Sequence, residues 1–396
     1  MTNPEHFGST RQNSLSELIW GLPLVDHHVH GANLAEVDRS SLEVMLTEGS
    51  AIAPGQTQFD SQVGFAIRRW SGPVLDLEAN ASADDYVARR LELGNEAVSR
   101  KLLAASGISH FLNDTGAFPE LLTDSATLAE LSGGKVDEIV RLEWIAVLLL
   151  QQGVAAEQFP DRYREFVAEK TVDAVGMKSI IAYLHGFSFD PDRPSDVDVI
   201  RAAQLWISAS EQPLANGDTL APIIALTDPV LLRFFLWTAV DRGLPLQLHT
   251  GYGSLPITLD KANPLLLIEW MKQVEPLGVD LMLIHCYPYH REAGYLAQIF
   301  TNVYLDVGLA TNYTGAASTS LIRESLELAP FSKVLFSSDA WGPAELHHLG
   351  AVLWRRGMTR VLGEWVDDGD WSLKDAQRVA ELVGRGNANR VYSLSH

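Results

Sequence analysis

From about residue 100 onward, short apolar runs alternate with longer amphipathic stretches, the pattern of strand–helix units wrapped around a parallel sheet. The runs that read as strands lie at 22–30, 108–113, 139–145, 174–181, 244–249, 280–285, 302–307 and 333–338. They number eight, which closes a (β/α)8 barrel. Helix signals fall between them. Asp228-Pro229 opens an apolar helix through Val230 to Leu236 and Gly243 stops it, and Asn263-Pro264 with Gly278 repeats the device.

The segment from about 35 to 100 breaks the rhythm. A Gly/Gln/Ser-rich loop (49–62) precedes helical stretches such as 84–103, so it reads as a mostly helical insertion after strand 1, on the side where barrel loops cover the active site. Residues 185–220 read as a further loop and helix over the same mouth. No repeat, low-complexity tract or flexible linker divides the chain, so residues 1–396 are expected to form one domain. The predicted fold class is α/β, a distorted (β/α)8 TIM-type barrel.

Composition narrows the function. Apolar residues make up 46% of the chain, enough for a large core. A formal charge of −20 without any basic stripe argues against a nucleic-acid partner. It leaves anionic small molecules open as substrates, since a buried metal dominates its local field. One cysteine, Cys286, excludes an internal disulfide and a Cys-rich metal site and suits a reducing cytoplasm. The first twenty residues carry no secretion signal, and the apolar run from Trp144 to Leu150 falls far short of the about 20 residues a membrane helix needs. A cytoplasmic homo-oligomer acting on a small molecule, away from membranes, is expected.

The chemistry concentrates at strand ends. In Val25-Asp26-His27-His28-Val29-His30 the strand period places His28 and His30 on one face, with His27 and Val29 on the other. His249 ends the run Leu244–Leu248, His285 ends Leu281–Ile284, Asp339 follows Val334–Ser338, and Lys178 interrupts the fourth strand. Barrel strand ends converge on one cavity, and neutral imidazoles with a carboxylate suit zinc, manganese or iron. A shared divalent metal site is therefore expected, zinc first among the three. Asp339 would serve as ligand and proton shuttle.

A second set is less specific. Arg141 and Glu143 are placed on one face of the third strand, as an internal ion pair or as substrate contacts, and Glu143 is also a candidate partner for Lys178. Tyr183 and Tyr252 could line the pocket or simply pack. His347, with Glu345, reaches the cavity from a helix start or lies on the helix surface. Asn113 and Asp114 follow the second strand and read equally as site or as turn residues, Cys286 as packing that faces away from His285, and His290 as the start of a helix.

The run Asp26–His30, the strand-end His249, Ile284-His285-Cys286-Tyr287-Pro288 and Ser337-Ser338-Asp339 resemble the amidohydrolase superfamily, over essentially the whole chain. Gly176-Met177-Lys178-Ser179, His249-Thr250-Gly251-Tyr252-Gly253 and Ser338-Asp339-Ala340-Trp341 are similar to the amidohydrolase-2 branch that also occurs fused to glutamine-synthetase-like domains. The resemblance implies that His28, His30 and Asp339 hold a first ion. His249 and His285 would hold a second, or His249 would complete a single site while His285 orients substrate. Lys178 would be a carboxylated bridge in two-metal members, or else an anchor for a substrate carboxylate.

The leading expectation is a hydrolase that cleaves an amide or related C–N bond, for example a γ-glutamyl amide or another small carboxylate-bearing substrate, with Asp339, His285 and Lys178 as catalytic residues. Non-oxidative decarboxylation or other lyase chemistry on an aromatic or unsaturated acid, and a non-catalytic role as partner of a nitrogen-metabolism enzyme, are the alternatives.

Overall fold

The computed structural model describes residues 10–394; the first nine residues of the stretch read for a targeting signal lie outside them. Seven parallel strands follow one another in sequence order around a curved sheet. They are β1 (Leu24–Val29), β2 (Ile108–Asp114), β3 (Lys135–Arg141), β4 (Gly176–Ser179), β5 (Leu246–Thr250), β6 (Leu281–His285) and β7 (Val303–Leu305).

The eighth run does not form a regular strand, yet it closes the ring. Val334 bridges Leu305 and Gly342 bridges Ala32, both in parallel sense. Leu335 N donates to Leu305 O on one side, while His27 N and His30 N donate to Phe336 O and Ala340 O on the other. The ladder is broken because side chains take its backbone groups. Ser338 N donates to Asp26 Oδ1 and Ser338 O accepts from Asn312 Nδ2, each at 3.0 Å.

The two faces of the strands sort as the barrel requires. Val25, Leu112, Ile139, Met282, Ile284, Tyr304 and Leu335 form one small cluster, which the C-terminal residues Ala388, Val391 and Tyr392 plug. This is the barrel interior. Leu24, Phe111, Val140, Met177, Leu248, Leu283 and Leu305 join the larger core with the surrounding helices.

Two sequence readings need correction. The third strand is β3 at 135–141, four residues earlier than expected, and Leu142–Gln151 is a helix. An apolar run alone does not separate a buried strand from a buried helix, and this one spans the junction. Side-chain alternation also fails in β1, where the register shifts between Asp26 and Val29. His27 and His28 consequently both make interior contacts, with Tyr392 and Gln247 respectively.

The insertion after β1 is helical as expected, with Arg39–Val44, Gln62–Trp70, Ala83–Leu93 and Asn95–Ser106. Asp38, Ser61 and Ser82 open the first three by accepting from backbone N–H groups. Gly94, at φ 79°, splits the stretch read as one helix. Helix Pro229–Arg242 runs from its proline to a left-handed Gly243, as predicted. No helix among the described residues is long and apolar enough to cross a membrane.

Candidate metal centre

Three strand ends, those of β1, β5 and β6, bring four imidazoles to the neighbourhood of Asp339. His28 Nε2 lies 3.1 Å and His30 Nε2 3.5 Å from Asp339 Oδ1, while His285 Nε2 lies 3.4 Å from Oδ2. The His249 ring lies tilted against that of His285, with centroids 4.5 Å apart. Lys178 Nζ is 3.3 Å from His28 Nε2. All six residues are buried.

Their orientation follows from the register. Arg141, Lys178 and Gln247 are paired across β3, β4 and β5, and residues aligned in this way point to the same face. His285 has the parity of Leu281 and Leu283, which pack outward. A left-handed backbone at His285 (φ 73°) turns its ring inward, and Asp339 takes the same region at φ 48°. Such conformations cost about 1–3 kcal/mol and persist where the surroundings enforce them. Asp306 does so here, its Oδ1 accepting from His285 N at 3.0 Å and from Gly308 N at 2.7 Å. Its Oδ2 accepts a hydrogen bond from His27 Nε2 at 2.8 Å.

Hydrogen bonding settles which ring nitrogens are free. Gln247 Nε2 donates to the His27 carbonyl and to the Tyr392 hydroxyl, so Oε1 must be the acceptor that faces His28 Nδ1 at 2.7 Å. His28 thus donates from Nδ1 and keeps its lone pair on Nε2. His30 Nδ1 donates to the Asp114 carbonyl at 3.1 Å, with the same result. His249 Nε2 donates to Tyr252 O, which leaves Nδ1 as its free nitrogen. Gly253 permits that contact, because a Cβ there would lie 2.7 Å from His249 Nε2 and 2.2 Å from the Tyr183 hydroxyl.

Burial holds His28 down to about 4 and drives His249 and His285 well below the usual imidazole range. Burial alone would raise Asp339, but the imidazoles of His285, His28 and His30 outweigh it and keep the carboxyl well below its usual range. With their Nδ1 atoms donating elsewhere, His28 and His30 turn their Nε2 lone pairs toward the Asp339 carboxylate. Asp339 Oδ1 is buried without a hydrogen-bond donor. Lone pairs facing lone pairs repel unless a cation lies among them, so the donor set fits a divalent metal. His28, His285 and Asp339 form one group with ligand atoms in mutual reach, and His28, His30 and Asp114 form another.

A cavity of about 350 Å³ opens onto this cluster. His30, Lys178, His249, His285 and Asp339 form its floor, and Trp144, Ile180, Ile223 and Trp341 are among its apolar walls. Arg141 and Tyr183 line it too. Arg141 Nε and Nη2 donate to Asp114 Oδ2 at 3.0 and 2.6 Å.

Other second-set residues fall elsewhere. Glu143 leaves the strand face with the shift of β3, and its Oε1 accepts from Ser179 Oγ and Ile180 N at 2.7 and 3.0 Å instead of pairing with Arg141 or Lys178. His347 is wholly buried in the helix Ala344–Asp367, edge-on to Phe111, and belongs neither to the cavity wall nor to the helix surface. The Tyr252 ring packs against Tyr287 and Tyr313. Cys286 bonds Thr250 and Leu283 O, and His290 opens a helix. Gln247, Asp306 and the role of Asp114 were missed. Asp306 and Asp114 follow the same rule, an acid at a strand end, that singled out Asp339. Gln247 is a lone amide between Leu246 and Leu248.

The family model for amidohydrolases, Amidohydro_2, matches residues 182–394. Protein fluG of Emericella nidulans is 28% identical over 420 residues, covering 97% of this chain and 47% of fluG, so the chain spans about half the length of that relative. A Lactobacillus casei protein assigned as a metal-dependent hydrolase superposes with a TM-score of 0.79 at 25% identity, over 96% of this chain and 97% of its own. A uronate isomerase from Bacillus halodurans shares the fold, with a TM-score of 0.61 at 14% identity over 98% of each chain.

Proposed function

The chain belongs to the amidohydrolase family, and on that premise we propose that it is a metal-dependent hydrolase that cleaves an amide or related C–N bond in a small carboxylate-bearing substrate, a γ-glutamyl amide being the leading case. The observation that carries this reading is the convergence of the His28 and His30 lone pairs and of His285 Nε2 on the undonated Asp339 carboxylate at the floor of a cavity.

His28, His30 and Asp339 would hold the ion, and His249 and His285 would hold a second one, or His249 would complete a single site while His285 orients the substrate. Zinc is the proposed metal on the strength of the nitrogen and oxygen donors, a preference manganese and iron share. A divalent ion bound there acidifies water and polarises a carbonyl. Asp339 takes the proton of the attacking water and returns it to the leaving nitrogen. His285 is held by its left-handed backbone and Asp306, and in a single-metal site it would orient the substrate carbonyl. Arg141 has Nε and Nη2 committed to Asp114, which leaves Nη1 for a substrate carboxylate. The single cysteine, buried and unbridged, supports a place in the reducing cytoplasm.

The test is elemental mass spectrometry on protein purified without chelators, wild type beside His28→Ala, followed by a screen of γ-glutamyl amides for amine release. Transition metal lost in the variant together with amine release from the wild type supports the proposal. Absence of metal after reconstitution overturns it, and carbon dioxide released from aromatic acids in place of amine moves the assignment to the lyase class.

A further inference from the structure

Above the metal ligands the cavity gains apolar walls. Phe118, Leu220, Ile224 and Leu255 line it and stand 45%, 48%, 51% and 73% exposed, which places them at its mouth. They arrive from separate parts of the chain. Phe118 follows β2, Leu220 and Ile224 bound the short helix ahead of Pro229–Arg242, and Leu255 follows β5. Apolar side chains scattered singly over a surface are ordinary, whereas several gathered on the rim of one cavity mark a binding surface.

The lip is held in place. Phe118 has a left-handed backbone (φ 46°), a conformation that disfavours a bulky residue. Its carbonyl accepts from Leu121 N and Leu122 N at 2.9 and 3.1 Å, and the turn sets its ring against that of Trp341, with centroids 6.0 Å apart. Gly116 fixes the root of this turn, since a Cβ there would lie 2.5 Å from the Cβ of Arg141 and 3.2 Å from that of Trp144. A strained backbone that presents a half-exposed aromatic ring to a cavity serves the fold poorly, and strain of this kind gathers at ligand clamps.

We propose that this lip is a subsite for an apolar group on the amine side of the cleaved bond, so that the substrate is the amide of an arylalkyl or branched alkyl amine. The assignment rests on the hydrolase reading above and deepens it. In that reading Arg141 takes the carboxylate of the acyl side, and the group that runs from the C–N bond toward the mouth is that of the amine. Glu48 and Glu120 border the cavity and repel a second carboxylate there, whereas a hydrocarbon takes the exposed side chains out of water. A phenyl ring adds aromatic contact with Phe118 or Trp341.

The experiment compares γ-glutamyl benzylamide with γ-glutamyl methylamide on the full-length, metal-loaded protein. The readout is kcat/KM where amine is released and calorimetric affinity where it is not. In either readout the benzylamide should be favoured about 10–100-fold, as burial of a phenyl ring provides. Phe118→Asn combined with Leu255→Ser should cut that ratio about fivefold or more. Asparagine tolerates the left-handed backbone at 118, and both side chains are exposed.

A ratio near one overturns the proposal, as does a ratio that the double variant leaves intact. Equal treatment of the two amides by a protein that sediments as a dimer, dissociated by the double variant, gives the lip to a second copy of the chain and also overturns it. The wild-type ratio decides even where the variant fails to fold. Lack of metal or of amine release, with the benzyl preference retained in calorimetry, defeats the hydrolase reading and leaves the apolar lip standing, so the two failures are distinguishable.

Discussion

Gln247 fixes the tautomer of His28: its carbonyl accepts from Nδ1 at 2.7 Å while its amide group is spent on the His27 carbonyl and the Tyr392 hydroxyl. A residue in the middle of β5 thus determines that the lone pair of a β1 imidazole faces Asp339. Through Tyr392 it also ties the site to the C-terminal plug of the barrel.

Gln247→Leu should weaken divalent metal binding by about 10–100-fold, the usual effect of removing the partner that orients a ligand imidazole. Competition against a chromophoric chelator measures it, with circular dichroism as the check on folding. Unchanged affinity would mean that the His28 tautomer does not depend on Gln247.

Asp339→Asn should reduce turnover by about a thousandfold, because an amide neither takes nor returns the proton. The fold should persist, since the side chain sits at the cavity floor and Asp339 N donates to His28 O through the backbone. Steady-state kinetics beside a thermal melt separates the two effects; an Asn variant of normal activity would remove Asp339 from the mechanism.

Carboxylation of Lys178 would set the ion count. Its Nζ lies 3.3 Å from His28 Nε2, close enough to share the ligand field. With the lysine as a carboxylated bridge, Lys178→Ala should lose one ion per chain and regain it with short carboxylic acids. An unchanged metal count by elemental analysis would leave Lys178 as a substrate anchor.

Stripping the metal should destabilise the protein. His28, His30 and His285 crowd about Asp339, and a bound ion would hold them together. At an ion concentration about 100-fold above its dissociation constant, binding adds about 2.7 kcal/mol. Chelator should lower the melting temperature and added divalent ion should restore it; a melt indifferent to chelator would contradict the site.

Arg90 and Glu345 join the inserted helices to the barrel. Arg90 Nε donates to Glu345 Oε1 at 2.7 Å with both side chains buried, and Tyr86 donates to the same oxygen. Burial raises the Glu345 carboxyl, but Arg90 outweighs it and holds the group below the ordinary value. A depressed carboxyl stabilises the fold above its unfolded pKa, and that contribution is lost as pH falls through the folded one, so stability should decline below about pH 4. Glu345→Gln should cost about 3 kcal/mol at neutral pH and flatten the acid limb of urea-unfolding stability. An acid limb as steep as that of the wild type would place the titration elsewhere.

The periodicity of the chain was sufficient for the barrel and for most strand positions, because buried parallel strands are short apolar runs and prolines and glycines punctuate the helices between them. It failed at β3, where apolar residues run from strand into helix without a break, and with it went the expected Arg141–Glu143 face. It placed His347 at the cavity or on the helix surface, whereas the helix Ala344–Asp367 buries that ring against Phe111.

By itself the sequence determined which ligand types are present and that they stand at strand ends, since alternation and the parallel barrel carry strand ends to a common mouth. Tertiary structure alone decided how they face one another. The left-handed turns at His285 and Asp339, the shifted register of β1, and the partners Gln247 and Asp306 arise from contacts between segments hundreds of residues apart in places, such as Asp26 with Ser338. Local pattern carries no record of such contacts, because they depend on which strands become neighbours when the ring closes.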